Sequence, residues 1–231
     1  MDTSTVLETG AGTATRRREL EEFVLERLFG ETYYRFDLVE GEIFNPADVR
    51  IIYLSADVVR GIYEALNFEA GEAWKVILKT CGHLWAKRVA NSLEQEYRAI
   101  AQHDWDDLNV AQYVELMEAY FSRHGWGKVK VVLDDAAEYG IVRVSMTHSL
   151  FATALNNVEG PVDFMIAGML QGIFETISEQ TLEALEVQSP RRNAAPGSEF
   201  LISAPERIAS IENLVEEGAP LDDIIERLRQ A

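Results

Sequence analysis

Cys81, His83 and Trp85 stand at alternate positions of one helical pattern and have the widest chemical repertoire in the chain. A thiol can carry a thioether-linked or acyl group, an imidazole can ligate a metal, and an indole can wall an apolar pocket. Their spacing limits what they can share. Residues two apart on a helix point to different faces, so Cys81 and His83 cannot serve one metal. Cys81, Leu84, Trp85 and Arg88 can lie together, while His83 falls outside the group and reads as a surface or core-edge residue. A buried free cysteine behaves as a small hydrophobe, and Cys81 is read that way. His103, His124 and His148 are dispersed, and His124 closes a helix, where positive charge is favoured.

Gly168-x-x-x-Gly172 is a second candidate. Each interior helical glycine costs about 1 kcal/mol relative to alanine, so close approach to another backbone, the sheet above all, or to a flat ligand must offset it. Phe164, Met165 and Met169 flank the pair, and the thioethers suit either a core or an adaptable pocket. Asp104, Asp106 and Asp107 lack the spacing and central glycine of a calcium loop and read as solvated. The chain contains no nucleophile elbow, phosphate loop, His-x-x-x-His pair or dinucleotide fingerprint.

The elements that position these residues follow from periodicity. Arg18 to Phe29 has the three- and four-residue apolar steps of an amphipathic helix, and Tyr33 to Tyr53 reads as extended chain with turns. Ser55 is placed to cap a helix through Leu66. Glu69 to Ile100 is a long helical region, broken or bent near Asn91-Ser92, whose stripe is Trp74, Ile77, Leu78, Cys81, Leu84, Trp85, Arg88 and Val89. Val110 to His124 is helical, with Gly125 as its stop. Strands are expected at Trp126–Leu133 and Ile141–Thr147, a short helix or turn at Leu150–Leu155, and a helix from Pro161 to Ser178 with Asp163 in its first turn. A hairpin of Thr181–Ser189 and Ser198–Ser203 follows, then helices Pro205–Glu217 and Pro220–Arg229. The last carries the stripe Leu221, Ile224, Ile225 and Leu228, expected to dock on its own domain.

Composition bounds the partners. Among 231 residues, 21 Lys+Arg against 39 Asp+Glu give a net charge of -18, which disfavours nucleic acid and anionic membrane. The clusters Arg16-Arg17-Arg18 and Arg191-Arg192 are too short to reverse that reading. One cysteine excludes an internal disulfide and fits a reducing, cytoplasmic setting. Met1 to Thr15 lacks the basic start and apolar run of a signal peptide, and no run approaches the roughly 20 apolar residues of a membrane span.

The element order, together with Ser55-Ala-Asp-Val-Val-Arg-Gly61, Cys81-Gly82-His83-Leu84-Trp85-Ala86, Gly168 and Gly172, Glu186-x-x-Ser189 and Gly197-Ser198-x-Phe200, resembles the 4-vinyl-reductase domain family. It also resembles that family's structural relatives, the Bet-three-like subunits of vesicle-tethering complexes. The resemblance covers about residues 40–203, and the whole chain is most similar to cyanobacterial members associated with photosynthesis. It implies an α/β (α+β) single mixed domain, a small antiparallel sheet packed against helices. Residues 1–17 would be a disordered tail, 18–39 a helical extension, 40–203 the ligand-binding domain and 204–231 a C-terminal helical extension.

The function implied is non-catalytic binding of a hydrophobic small molecule such as a tetrapyrrole, whether a chlorophyll precursor or a bilin, in photosynthetic pigment handling or photosystem assembly. Sensor modules of some transcription regulators belong to the same family. Trp74, Cys81, Trp85, Arg88, Phe164, Met165, Gly168, Met169 and Gly172 would form the site, with Arg88 or Arg143 pairing a propionate. Photosynthetic complex subunits, a homodimer and a position peripheral to the photosynthetic membrane are further implications. A scaffold with a vestigial cavity and a vinyl reductase are the alternatives; a reductase would need a cofactor site that no motif supplies. Where the family often has metal-binding cysteines this chain has Ser189 and Ser198, and a neutral hydroxyl is a far poorer ligand than a thiolate.

Overall fold

Alternating apolar and polar residues build the larger of two antiparallel sheets. In the computed structural model, which describes residues 34–101, 104–190 and 195–231, Lys128–Val132 (β4) buries Val129 and Val131 and exposes Lys128 and Lys130, which alternate with them. Val142–Thr147 (β5), Glu183–Gln188 (β6) and Ser198–Ser203 (β7) complete the sheet in the order β4-β5-β7-β6, all antiparallel. β7 is central and almost wholly buried. The β6–β7 register shifts between Glu186 and Gln188, so adjacent Glu186 and Val187 are both buried where strict alternation would expose one. The expected tail, the Arg18–Phe29 helix, both arginine clusters and His103 lie outside the described residues.

The chain divides into two units, one of Met1–Ile52 with Ser92–Tyr120, the other of Tyr53–Asn91 with Phe121–Ala231. In the first, Arg35–Asp37 (β1), Glu42–Phe44 (β2) and Arg50–Ile51 (β3) form a small antiparallel sheet. Asp37 Oδ1 accepts from the Val39 and Glu40 amides to hold the β1–β2 turn. Fully buried Glu96 accepts from Asn45 Nδ2, and Tyr97, Trp105 and Tyr113 meet edge to face at 5.5 and 5.4 Å. Burial pushes the Tyr113 phenol up to about 12. Asp104 and Asp106 pair with Arg98, on the surface as expected.

The second unit holds the larger sheet and helix Ala56–Ala70 (α1), four residues longer than expected; Ser55 occupies its N-cap without a side-chain bond. Trp74–Ile100 (α2) is one unbroken helix across Asn91-Ser92, where a break or bend was expected, and its residues from Ser92 onward belong to the first unit. Val110–Arg123 (α3), which belongs to the first unit through Tyr120, ends at Gly125, whose φ of 73° is the left-handed stop that the sequence suggests. Ala136–Tyr139 (α4) and Leu150–Ala154 (α5) are short. Phe164–Ser178 (α6) begins three residues after Pro161, with Asp163 at its N-cap position, and packs on β6 and β7.

Pro205–Ala209 (α7) and Glu212–Glu216 (α8) replace the single helix expected there, and Leu221–Gln230 (α9) follows. The α9 stripe docks inside its own unit: Ile224 and Leu228 join Ile141, Leu201, Ile208 and Ile211 in one buried cluster. The Arg207 guanidinium ties this end together by donating to the Tyr139 and Leu228 carbonyls. No helix among the described residues is long and apolar enough to cross a membrane.

Candidate functional site

The two glycines of α6 face a helix. A Cβ on Gly168 would lie 2.9 Å from the His83 backbone nitrogen, and one on Gly172 would lie 2.7 Å from Ala86 Cβ. Gly82 on α2 answers them, since a Cβ there would lie 3.0 Å from the Met169 nitrogen. Contact between α2 and α6 backbones therefore offsets the low helix propensity, and no hollow remains beside the glycines. The close backbone approach expected of the pair is made, with a helix in place of the sheet. Lys79, at its edge, reaches Glu183 and the Ala184 carbonyl, and His83 Nε2 lies 2.6 Å from Glu175 Oε2. Burial alone would raise the Glu175 carboxyl, but hydrogen bonds from His83, the Leu182 amide and Gln171 hold it below its usual value.

The crossing rotates α2 relative to its expected stripe. The buried line within this unit runs Trp74, Leu78, Gly82, Ala86, Val89 and Ala90, while Cys81, Leu84 and Arg88 are exposed. Cys81 is therefore not the buried hydrophobe expected. Trp74, 2% exposed, is packed edge to face by Tyr63 at 5.0 Å and Phe164 at 5.2 Å. Met169 is fully buried and Met165 partly so. The nine expected site residues thus separate: Trp74, Phe164, Met165, Gly168, Met169 and Gly172 build or flank the crossing, Trp85 belongs to a second cluster, and Cys81 and Arg88 face outward.

That second cluster joins three elements. Trp85 of α2 meets Trp126, just before β4, edge to face at 5.8 Å. Phe151 of α5 also stacks with Trp126, at 6.3 Å with 6° between the planes. The Trp126 carbonyl accepts from the Leu150 amide, which fixes α5 against it. The Trp126 indole N–H, however, is buried without any hydrogen-bond partner. Buried polar groups are nearly always satisfied, so an orphaned donor within an aromatic cluster marks a position suited to an acceptor.

A buried polar group lies where α6, β6 and β7 converge. Asp163 is fully buried and Glu186 is 5% exposed. Ser149 Oγ and Ser198 Oγ donate to separate oxygens of Asp163, Ser198 at 2.6 Å. The Asp163 amide donates to Glu186 Oε2 at 3.1 Å, and Glu186 Oε1 has no partner. Burial and the neighbouring Asp163 push the Glu186 carboxyl well above the usual carboxylate range. Burial likewise raises Asp163, against the pull of the two serine hydroxyls.

A surface cleft of about 470 Å³ separates the β4–β5 edge from α9, lined by Asp134, Asp135, Asp222, Asp223 and Glu226 with two arginines. Both arginines have carboxylate partners: Arg229 forks onto Asp135, and Arg143 Nε donates to Glu199 at 2.9 Å. Arg143, a candidate for a propionate contact, is thus already paired.

No family model and no curated protein matches the chain. Among solved structures it is similar to the phenol-responsive sensory domain of the transcription activator PoxR, solved with phenol, at a TM-score of 0.63 and 17% identity over 90% of this chain and 98% of that one. The fold is shared. A trafficking protein particle complex subunit 3 from Naegleria fowleri, covalently bound to palmitic acid, matches at 0.47 and 13% over 64% of this chain and 93% of that one. A vinyl-4-reductase family protein from Methanocaldococcus jannaschii matches at 0.42 and 11% over 81% and 93%.

The residues at the closing hairpin do not fit a thiolate metal centre. Ser198 uses its hydroxyl on Asp163, Ser189 is 1% exposed and offers no thiol, and no group of three or more His, Cys, Asp or Glu among the described residues is placed to hold a metal ion. Sequence reasoning missed Asp163 as a partner of this group, Trp126 and Phe151 as a pair, and Gly82 in the crossing. Gly82, Ala86 and Ala90, small residues four apart, were the available signal for the crossing.

Proposed function

We propose that this chain is a non-catalytic, small-molecule-binding sensory module whose recognition patch is Trp85, Trp126 and Phe151. The orphaned Trp126 indole N–H carries the reading: three aromatic rings converge around a buried donor that lacks an acceptor. A planar aromatic ligand bearing a phenolic, carbonyl or carboxylate oxygen would supply both a stacking surface and that acceptor. The fold likeness to a phenol-responsive sensory domain supports the class of function. The test is a titration of the purified chain with a panel of phenols and aromatic acids, followed by tryptophan fluorescence. Binding should quench the emission, and Trp126→Phe should weaken it at least about tenfold, the value of one hydrogen bond to a buried donor. No response across the panel would overturn the reading. A tetrapyrrole, serving photosynthetic pigment handling, is the large-ring version, and a visible absorption band in protein from its native host would establish it.

Self-association is a second reading with its own observation. Val58, Ile62 and Phe68 on α1 and Val76 and Leu84 on α2 are exposed apolar residues, Phe68 and Val76 to 85% and 68%. A monomer gains nothing from apolar residues so placed, whereas a homodimer would bury them. Light scattering at micromolar concentration should give twice the chain mass, and Ile62→Glu with Leu84→Glu should return it to one.

A further inference from the structure

Asp163 and Glu186 confront the fold with a charge it cannot dissolve in water. Two carboxyl groups are buried side by side, and among the described residues no lysine, arginine or histidine contributes to the shift of either. The polar groups facing them are Ser149 at the N-cap of α5, Ser198 at the start of β7 and Ser189 beyond the end of β6. Two adjacent buried carboxylates cannot both stay ionised, so the site must hold a cation or a proton. Its donor set answers which. Asp163 receives one hydroxyl on each oxygen and is built to keep its charge. Glu186 accepts the Asp163 amide on Oε2 with the Ser189 and Ser198 hydroxyls beside it, but its Oε1 has no hydrogen-bond partner, so it is the less well supported of the two as an anion and the better place for the proton.

We propose that one proton, held on Glu186 beside an ionised Asp163, locks the β6–β7 hairpin to the start of α6 and fills the structural role that a bound metal ion would otherwise have. The lock reaches further than the hairpin. Ser149 Oγ donates to Asp163 while accepting from the Ala152 amide at 3.2 Å, so it also caps α5. Losing the proton would leave two negative charges in a dry interior and drive this corner open.

The sign follows from linkage. A carboxyl whose folded-state pKa is raised binds a proton that the unfolded chain has already lost, so its stabilisation is full below the unfolded value and falls as pH rises toward the folded value. Thermal melts of the full chain from pH 5 to pH 9 should show a midpoint that declines with pH. Glu186→Gln, a permanently neutral mimic, should flatten that decline relative to wild type and melt at least about 3 °C higher at pH 8. EDTA should leave the wild-type midpoint unchanged. Infrared spectroscopy of the wild type at pH 7 should show the carbonyl stretch of one buried neutral carboxylic acid, a readout independent of whether any variant folds. A wild-type slope retained in Glu186→Gln, a midpoint lowered by EDTA, or the absence of the neutral-acid band would each overturn the proposal.

Discussion

The α2–α6 crossing and the Trp126 cluster lie in the same unit and both use α2, yet they are finished to different degrees. At the crossing every glycine face meets backbone, and the polar groups at its edge, Lys79, His83 and Glu175, all have partners. At the cluster the rings meet at good aromatic distances while the central donor is left without an acceptor. A region that serves only stability closes its hydrogen bonds, since each unmet buried group costs about 1–3 kcal/mol. On the reading proposed above, the open donor among the Trp85, Trp126 and Phe151 rings would serve recognition, and the closed crossing would serve stability.

Substitutions can break this comparison or sharpen it. The largest effect belongs to the crossing: Gly168→Val would drive a side chain into the α2 backbone around Lys79 and His83. It should cost about 3 kcal/mol or more in urea unfolding, or prevent folding. A mild effect would mean that the helices are not in contact. Trp74→Ala removes a side chain packed by Tyr63 and Phe164, and should cost about 3–5 kcal/mol.

Smaller effects probe the polar edge. Glu175 is held below its usual pKa, so its contribution exists above the unfolded value and disappears as pH falls. Glu175→Gln should therefore lose about 1 kcal/mol at pH 7, and the gap from wild type should close below about pH 4. The smallest effect on stability is expected at the cluster. Trp126→Phe keeps a ring and deletes an unsatisfied donor, so it should leave the unfolding free energy in urea within about 0.5 kcal/mol of wild type while impairing ligand response. A large destabilisation would show that the indole is needed for the packing of the cluster and would return it to the scaffold.

The elements were largely legible in the sequence, and the surfaces they bury were less so. Alternation located β4 and β5, Gly125 and Gly218 marked helix ends at positive φ, and the α9 stripe docked as its pattern implies. The rotation of α2 escaped, because a reading weighted toward large apolar residues follows Cys81, Leu84 and Trp85, whereas a close crossing buries Gly82 and Ala86. Glu186 escaped for a related reason: a one-residue bulge buries two successive side chains, which period-two reasoning forbids.

By itself, then, the amino-acid sequence determined where helices and strands form, the antiparallel closing hairpin and the acidic character that disfavours nucleic acid, because these depend on local periodicity, turn chemistry and summed charge. Tertiary structure alone decided that α6 glycines meet a helix, that Asp163 shares its burial with Glu186, and that Trp126 stands between Trp85 and Phe151 with its N–H unmatched. Those are contacts between residues 23 to 89 positions apart, and such pairings are fixed only when the whole unit packs at once.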